Sequence, residues 1–412
     1  MSQVSEEGAQ TVWTPPPGPN LQDVRDAYRE LLYLEKAHLA MIDYVMALVL
    51  GQRLQGENVW SYIIGPPSCG KGVLLDGLRG ERGDKGVDDI VWLSQMSDAA
   101  LVSGYKKPGA KKSPDYGLLP KLNGKILVIK ELTPLLTTMP QSRDKILGQF
   151  RDAYDQFFAK KHGNETDISG YYSKFGFIAA VTPEIDRFRS AMQALGERCL
   201  AIRWPPYGNL RALARKAALA NDTPLADKQK IMKPVKTFLE KRPGCLSRDV
   251  VISPELLDKI IDLGMLTARL RSTVARKDSA FGEQAVLYRP EPEVSPRLVK
   301  QLVALAKGIA VSRDRHYVIE DDLWLVRQVT RGCLTKRTLQ LLDTIHGTKA
   351  ATVKYLHAAT DDSYSTLARD VGDLVMLGVL RKTRVAKENY YSFIDEYLKL
   401  IDDTGYFDDG IE

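Results

Sequence analysis

Apolar residues follow two rhythms along this chain. Between about residues 59 and 202 they come in short, nearly unbroken runs. These are Val59-Trp60-Ser61-Tyr62-Ile63-Ile64, Ile90-Val91-Trp92-Leu93, Ile126-Leu127-Val128-Ile129, Phe175-Gly176-Phe177-Ile178-Ala179-Ala180-Val181 and Cys199-Leu200-Ala201-Ile202. Runs of this kind are what a parallel sheet buried on both faces requires, since neither face has to be polar. Ahead of them, from about Leu21 to Leu50, apolar positions recur at helical spacing (Val24, Tyr28, Leu31, Leu32, Leu34, then Met41, Ile42, Val45, Leu48). That predicts a helical preface packed on the sheet. After about Gly208 the runs stop and the helical period continues. Leu256-Leu257, Ile260-Ile261 and Leu263 form one helix with Gly264 near its end. Leu298-Val299, Leu302, Leu305-Ala306 and Ile309 form another, and Asp321-Asp322 open a third through Leu323 to Val329.

From about Thr335 the pattern changes again. Helices are expected over Thr338–His346 and Ala350–His357. Ser363 is placed to cap a third, through Leu367, Val371, Leu374-Val375 and Leu377, which Gly378 ends. Val379-Leu380-Arg381-Lys382 and Asn389-Tyr390-Tyr391-Ser392-Phe393 then form a hairpin. The proline-rich stretch TPPPGPN makes residues 1–20 a disordered tail. The expected division is 1–20 tail, 21–207 α/β core with its helical preface, 208–334 helical block, and 335–412 C-terminal domain.

Composition narrows the class without changing this picture. The chain has 412 residues, enough for two or three domains, and 44% hydrophobic content supports an ordinary core. No apolar run is long enough to span a bilayer, and the opening MSQVSEEGAQ is unlike a signal peptide. A cytoplasmic location with no membrane partner is therefore expected. Cys69, Cys199, Cys245 and Cys333 are scattered with no C-x-x-C spacing, so we expect buried thiols, with no zinc site and no disulfide framework. A net charge of +6 is compatible with nucleic acid but does not require it. Local basic clusters carry more weight: Lys106-Lys107 with Lys111-Lys112, Lys160-Lys161, and Arg381-Lys382 with Arg384.

Candidate chemistry begins where the first run ends. Gly65-Pro66-Pro67-Ser68-Cys69-Gly70-Lys71-Gly72, followed by Val73, reads G-x-x-x-x-G-K between a strand and a helix, the setting of a phosphate-binding loop. Its backbone N–H groups and the following helix would cradle an anion, and Lys71 would add a positive charge for terminal phosphates. The Ser or Thr whose hydroxyl ordinarily holds magnesium is Gly72 here. Glu131 ends the third run, where nucleotide hydrolysis needs an acid to position magnesium or polarise water; a helix-start acid is the plain alternative. Lys130 stands where a metal-ligating Asp is usual. Thr182 follows the fourth run and serves either to orient an attacking water or to cap a helix. Arg198 just before the fifth run, and Arg203 just after it, could reach a neighbouring subunit's nucleotide; for Arg198 a salt bridge to Glu197 is the alternative. Arg297 opens a helix from which it could reach a γ-phosphate.

In their order, Gly65–Gly72, Glu131, Thr182, Arg198 and Arg297 resemble Walker A, Walker B, sensor 1, arginine finger and sensor 2 of an AAA+ P-loop ATPase. The phrases VWSYIIGPPSCGKG, ILVIKELTPLLTT, FGFIAAVTPEID, LGERCLAIRWPP and SPRLVKQLVALAKGIAVSRDRHYVIEDDLWLVRQV carry the likeness over residues 21–334. It is similar to the branch of the minichromosome-maintenance helicases and of phage- and mobile-element-borne ATPases. The C-terminal segment resembles a winged helix. The resemblance implies an ATP- and magnesium-using, ring-forming homo-oligomer in a bacterial or phage-infected cell. A pore hairpin over Lys160 to Gly170 would present Lys160 and Lys161 to single-stranded DNA, a solvated loop being the alternative. Tyr364, Thr366 and Arg369 would face a duplex groove while Arg381, Lys382 and Arg384 meet phosphate; many winged helices bind protein instead. The function so implied is a DNA-acting ATPase, a replicative helicase or helicase-like initiator. The alternative is a low-turnover nucleotide-gated loader, which Gly72 and Lys130 favour.

Overall fold

The computed structural model describes residues 18–54, 56–79, 87–94, 101, 118–160, 169–188, 192, 197–219, 225–242, 249–276 and 286–408. All five expected runs are strands of one parallel sheet. They are β1 (Trp60–Ile64), β2 (Ile90–Leu93), β3 (Ile126–Ile129), β6 (Gly176–Val181) and β7 (Cys199–Arg203), in the order β2-β3-β6-β1-β7. Alternate residues leave each strand on opposite faces. Ile63, Ile126, Val128, Ile178, Ala180, Leu200 and Ile202 join one apolar cluster. Trp60, Tyr62, Leu127, Ile129, Phe177, Ala179 and Cys199 join the other. Both faces are covered, so the runs carry no polar alternation.

The preface is two helices, α1 (Leu21–Leu31) and α2 (Lys36–Arg53). Asn20 caps α1 by accepting the Asp23 N–H, its own N–H donates in return to the Asp23 carboxylate, and the chain extends at Leu32 before restarting. Every residue of α2 from Met41 to Gly51 is buried, as expected of a helix that is apolar all round. On one side α2 meets the sheet, where Tyr44 Oη and Ser61 Oγ are 2.5 Å apart. On the other it crosses α8 (Pro296–Ser312) so closely that a Cβ on Gly308 would lie 2.2 Å from the Ala47 carbonyl oxygen. Glycine is required at that crossing because two backbones touch.

The helical block also contains α6 (Leu225–Glu240), α7 (Pro254–Leu270) and α9 (Glu320–Gly332). The expected helix around Leu256 extends past Gly264, which lies inside α7. A Cβ there would meet Val299 Cγ2 at 2.5 Å, so Gly264 is a packing contact rather than a stop signal. Helix α9 lies on β7, with Gly332 against the Ala201 carbonyl.

Beyond Thr335 come α10 (Lys336–Thr348), α11 (Val353–Ala359), α12 (Tyr364–Met376) and α13 (Asp395–Thr404). With them is a three-stranded sheet of β8 (Ala351–Thr352), β9 (Leu380–Val385) and β10 (Glu388–Phe393), in the order β8-β10-β9. Ser363 caps α12 through the Thr366 N–H, and Gly378 turns the chain at φ +72°. Tyr397 of α13 accepts a 2.6 Å bond from Arg269, and Arg327 donates to the Thr404 carbonyl, so this segment shares the core of the helical block. No helix among the described residues is long and apolar enough to cross a membrane. Cys69, Cys199 and Cys333 are buried free thiols; Cys245 lies outside the described residues.

Candidate active site at the carboxyl edge of the sheet

Strand β1 lies inside the sheet, and the chain turns sharply where it ends. Ser68 and Gly70 adopt left-handed conformations, at φ +62° and +108°. At Gly65 a Cβ would meet Trp204 Cβ at 2.7 Å and Cys69 Sγ at 2.9 Å. The loop can close only with glycine there. Pro66, Pro67 and Ser68 are exposed on its rim, while Cys69 and Lys71 are buried beneath it. Lys71 begins α3 (Lys71–Asp76), followed by Gly72 and Val73. Its Nζ donates to the carbonyls of Gly65 at 2.5 Å and Pro66 at 2.8 Å. The amine is thus folded under the loop, within reach of any anion the loop encloses. Burial raises the pKa of the Cys69 thiol, which keeps it neutral beside the lysine.

Strand order brings the next two candidates to the same edge. β6 lies between β1 and β3, so Thr182 at its end stands between the loop and Glu131 at the end of β3. One residue joins them, Thr133 at the start of α4 (Thr133–Leu136). Its N–H donates to Glu131 Oε1 at 3.0 Å, and its Oγ1 accepts the Thr182 N–H at 2.9 Å and lies 3.2 Å from Thr182 Oγ1. Both plain alternatives therefore have partial counterparts. Glu131 takes a helix-start N–H, and Thr182 precedes a short 3₁₀ turn, Pro183–Phe188. Two hydroxyls and a carboxylate nonetheless converge beside the loop.

The two departures from the usual loop chemistry are one structural feature. Lys130 shares the face of Ile126 and Val128, which is the face that packs on α3. Its Nζ is 2.9 Å from both carboxylate oxygens of Asp76. A Cβ at position 72 would lie 3.0 Å from Lys130 Cε. These residues do not fit a magnesium ion, which takes oxygen ligands. Residue 72 offers none, Lys130 offers an ammonium, and the Asp76 carboxylate is spent on that ammonium. Among the described residues no group of three or more His, Cys, Asp or Glu side chains could hold a metal.

Sequence reading missed the wall behind the loop. Trp204 follows β7, and its ring would contact a Cβ on Gly70 at 3.2 Å. The His38 ring stacks on Tyr207 at 4.0 Å and 17°, and the Tyr33 ring lies 6.2 Å from that of Tyr207. Tyr207 Oη donates to the Cys69 carbonyl at 2.9 Å; burial pushes its pKa up to about 12, so it remains a donor at neutral pH. Glu35 accepts the N–H groups of Gly208 and Asn209 at 3.0 and 3.1 Å, tying the start of α2 to this segment. The phrase LAIRWPPYGN is aromatic and proline-rich, the one signal that could have marked it.

Arg198 and Arg297 are brought together, but elsewhere. Arg198 precedes β7 and Arg297 opens α8, and each guanidinium lies 5.7 Å from the Tyr154 ring centroid at the end of α5 (Pro140–Tyr154). Arg198 pairs with Asp155 at 3.0 Å in place of the expected Glu197, whose carboxylate takes the Cys199 N–H. Arg297 donates to the Glu197 carbonyl at 3.3 Å. This is the amino end of the strands. A five-residue strand is about 16 Å long, so neither arginine reaches Lys71 of its own chain. Arg203, at the carboxyl end, is held by Asp186 and the Leu334 carbonyl.

Of the basic residues assigned to nucleic acid, Lys160 ends β4 (Phe157–Lys160), which pairs antiparallel with β5 (Ser169–Tyr172). A hairpin base therefore stands at the expected place; Lys161, its tip and the Lys106–Lys112 loop lie outside the described residues, as does the side chain of Lys160. Tyr364, Lys382 and Arg384 are exposed. Arg381 is paired with Asp395. Arg369 lines a cleft of about 630 Å³ between α12 and the segment 270–276, where Arg276 pairs with Asp373. Thr366 supplies the N–H that Ser363 caps.

No family model matches the chain, and no curated protein does. Among solved structures it is similar to a protein from Cytophaga hutchinsonii described as a putative ATPase. The identity is 14% and the TM-score 0.41, over 76% of this chain and 85% of that one.

Proposed function

We propose that the chain binds a nucleoside triphosphate, ATP, at the loop Gly65–Gly72 and uses it to act on DNA as a homo-oligomer. One observation carries this reading. The loop with its buried lysine closes one end of an inner strand, and Glu131 and Thr182 arrive beside it from the two strands that follow in the sheet order. Ligands of open parallel sheets bind at that edge. Loop N–H groups and Lys71 would take the phosphates. The Glu131–Thr133–Thr182 group would hold a water against the terminal phosphorus. Tyr33 and Tyr207, partly exposed and backed by the buried His38 ring, would be the candidates to face a base.

Calorimetry with ATP and ADP tests it. Heat is expected from the native chain and none from Lys71→Ala, and a silent native chain would end the reading. Arg198 and Arg297 stand at the opposite end of the strands from their own Lys71, so a nucleotide they meet would have to be a neighbour's. Mixing Lys71→Ala with Arg198→Ala subunits should restore turnover that neither has alone. No recovery would leave these arginines a structural pair on Tyr154.

The fold after Thr335, four helices and a three-stranded sheet, supports a winged helix. Lys382 and Arg384 on β9 are its phosphate-facing candidates. Replacing both with Glu should flatten the salt dependence of duplex binding by about one unit of slope per lost contact. Arg369 lines the cleft beside the segment 270–276 and its side chain is 41% exposed, so it would be a further candidate.

A second reading, a low-turnover nucleotide-gated loader, is favoured by the oxygen-poor surroundings of Gly72 and Lys130. An ATPase rate stimulated by single-stranded DNA and abolished by Glu131→Gln supports the motor. Tight binding with negligible turnover supports the loader.

A further inference from the structure

The coupling of Gly72 to Lys130 has a consequence that rests on the nucleotide reading above. In a loop of this kind residue 72 is where a hydroxyl would hold magnesium. A serine oxygen stands about 1.4 Å from its Cβ and the ion about 2.1 Å beyond, so the ion would lie within about 3.5 Å of that Cβ. Lys130 Nζ is 3.7 Å from the same point. The ammonium therefore stands in the shell that a metal would occupy, and the missing side chain at Gly72 is what admits it. Asp76 lies four residues on, one turn along the same face of α3. Its side chain is buried, at 7% exposure, while that of Lys130 is 42% exposed. An ammonium has three donors and Asp76 takes two, so the site holds a positioned cation with a donor to spare.

We propose that Lys130 replaces the divalent ion: its ammonium supplies the second positive charge at the triphosphate, beside Lys71, and the site takes the nucleotide free of metal. Asp76 holds the ammonium in place when the loop is empty. A divalent ion arriving with the nucleotide would meet a like charge at this position and no oxygen from residue 72 or 130 to replace its lost water.

The test is calorimetry of ATP binding to the full native chain, in EDTA and in excess magnesium chloride. Affinities equal within about threefold are expected. The pair is then removed together, as Asp76→Asn with Lys130→Met, so that neither charge is left buried alone. With its fold checked by circular dichroism, this double variant should bind ATP in EDTA at least about tenfold more weakly than the native chain. A native chain that loses about tenfold or more in EDTA overturns the proposal and leaves nucleotide binding standing. So does a folded double variant of unchanged affinity. Should the variant not fold, the native comparison decides alone. No heat in either buffer removes the nucleotide reading and this proposal with it.

Discussion

Replacing Gly308 with Ala isolates the contact that fixes the preface to the helical block. The new Cβ would lie 2.2 Å from the Ala47 carbonyl oxygen, 2.9 Å from Gly51 N and 3.0 Å from Gly51 Cα. These are backbone atoms of α2, which cannot rotate away, so α2 and α8 must part by roughly 1 Å for ordinary contact. Overpacking of a tight core costs about 1–3 kcal/mol, and a clash with rigid backbone belongs at the upper end. Helix propensity works the other way, since Ala in a helix interior is favoured over Gly by about 1 kcal/mol. The net expectation is a loss of about 2 kcal/mol. Gly372 in α12 is the control, because a Cβ there meets nothing within 4 Å. Gly372→Ala should gain up to about 1 kcal/mol from propensity alone. Urea denaturation followed by circular dichroism reads both, with the slope compared to detect departure from two-state behaviour. A Gly308→Ala protein as stable as the native chain would refute the reasoning, because the helices would then have room that the crossing denies them.

Asp322 is fully buried and accepts from Arg313 at 2.8 Å, Arg315 at 2.6 and 2.9 Å, and the Ile319 N–H at 3.0 Å. Asp322→Asn takes the buried carboxylate from two guanidinium groups, leaving Arg313 with Asp43 at 3.5 Å and Arg315 with the Tyr317 carbonyl at 2.9 Å, and should cost about 3 kcal/mol in urea denaturation; Glu320→Gln, which breaks an exposed pair with Lys259, should change nothing measurable. Tyr28 Oη donates to the Leu74 carbonyl of α3 at 2.6 Å, so Tyr28→Phe should lose about 1 kcal/mol, and an unshifted midpoint would remove that bond from the account. Burial holds the pKa of His38 below its ordinary 6.5, and the Gly208 and Asn209 N–H groups lower that of Glu35. Each contributes stability that is complete above its unfolded value and is lost as pH falls from there through the folded one. The melting temperature should therefore begin to drop as pH falls past about 6.5, through His38 before Glu35 contributes, and less in His38→Phe, which keeps the stack without the titration; equal drops would place the titrating group elsewhere.

Much of the local structure was legible because it is written in contiguous residues. Five apolar runs gave five strands, since a strand buried on both faces needs nothing but apolar side chains along its length. Ser363 and Gly378 bounded their helix because a cap and a left-handed turn are each satisfied within a few residues. The glycine-rich turn between β1 and α3 was readable for the same reason. Gly264 misled because a glycine needed for close packing and one needed to end a helix are identical in sequence.

What the chain alone left undecided is whatever depends on strand order and on which face a side chain leaves. Placing β6 between β1 and β3 puts Thr182 beside Glu131 across Thr133, a meeting of residues some fifty positions apart. The same order carries Arg198 and Arg297 to the opposite end from Lys71. Lys130 and Gly72 read as two separate losses of a magnesium ligand. Only the packing of β3 on α3 makes them one arrangement, because a period of two along the strand turns Lys130 towards the helix and the absent Cβ leaves its ammonium room. Sequence determines what each segment can form alone; the tertiary structure decides which charges and hydroxyls end within reach of one another, since such contacts cost chain entropy that only the whole core repays.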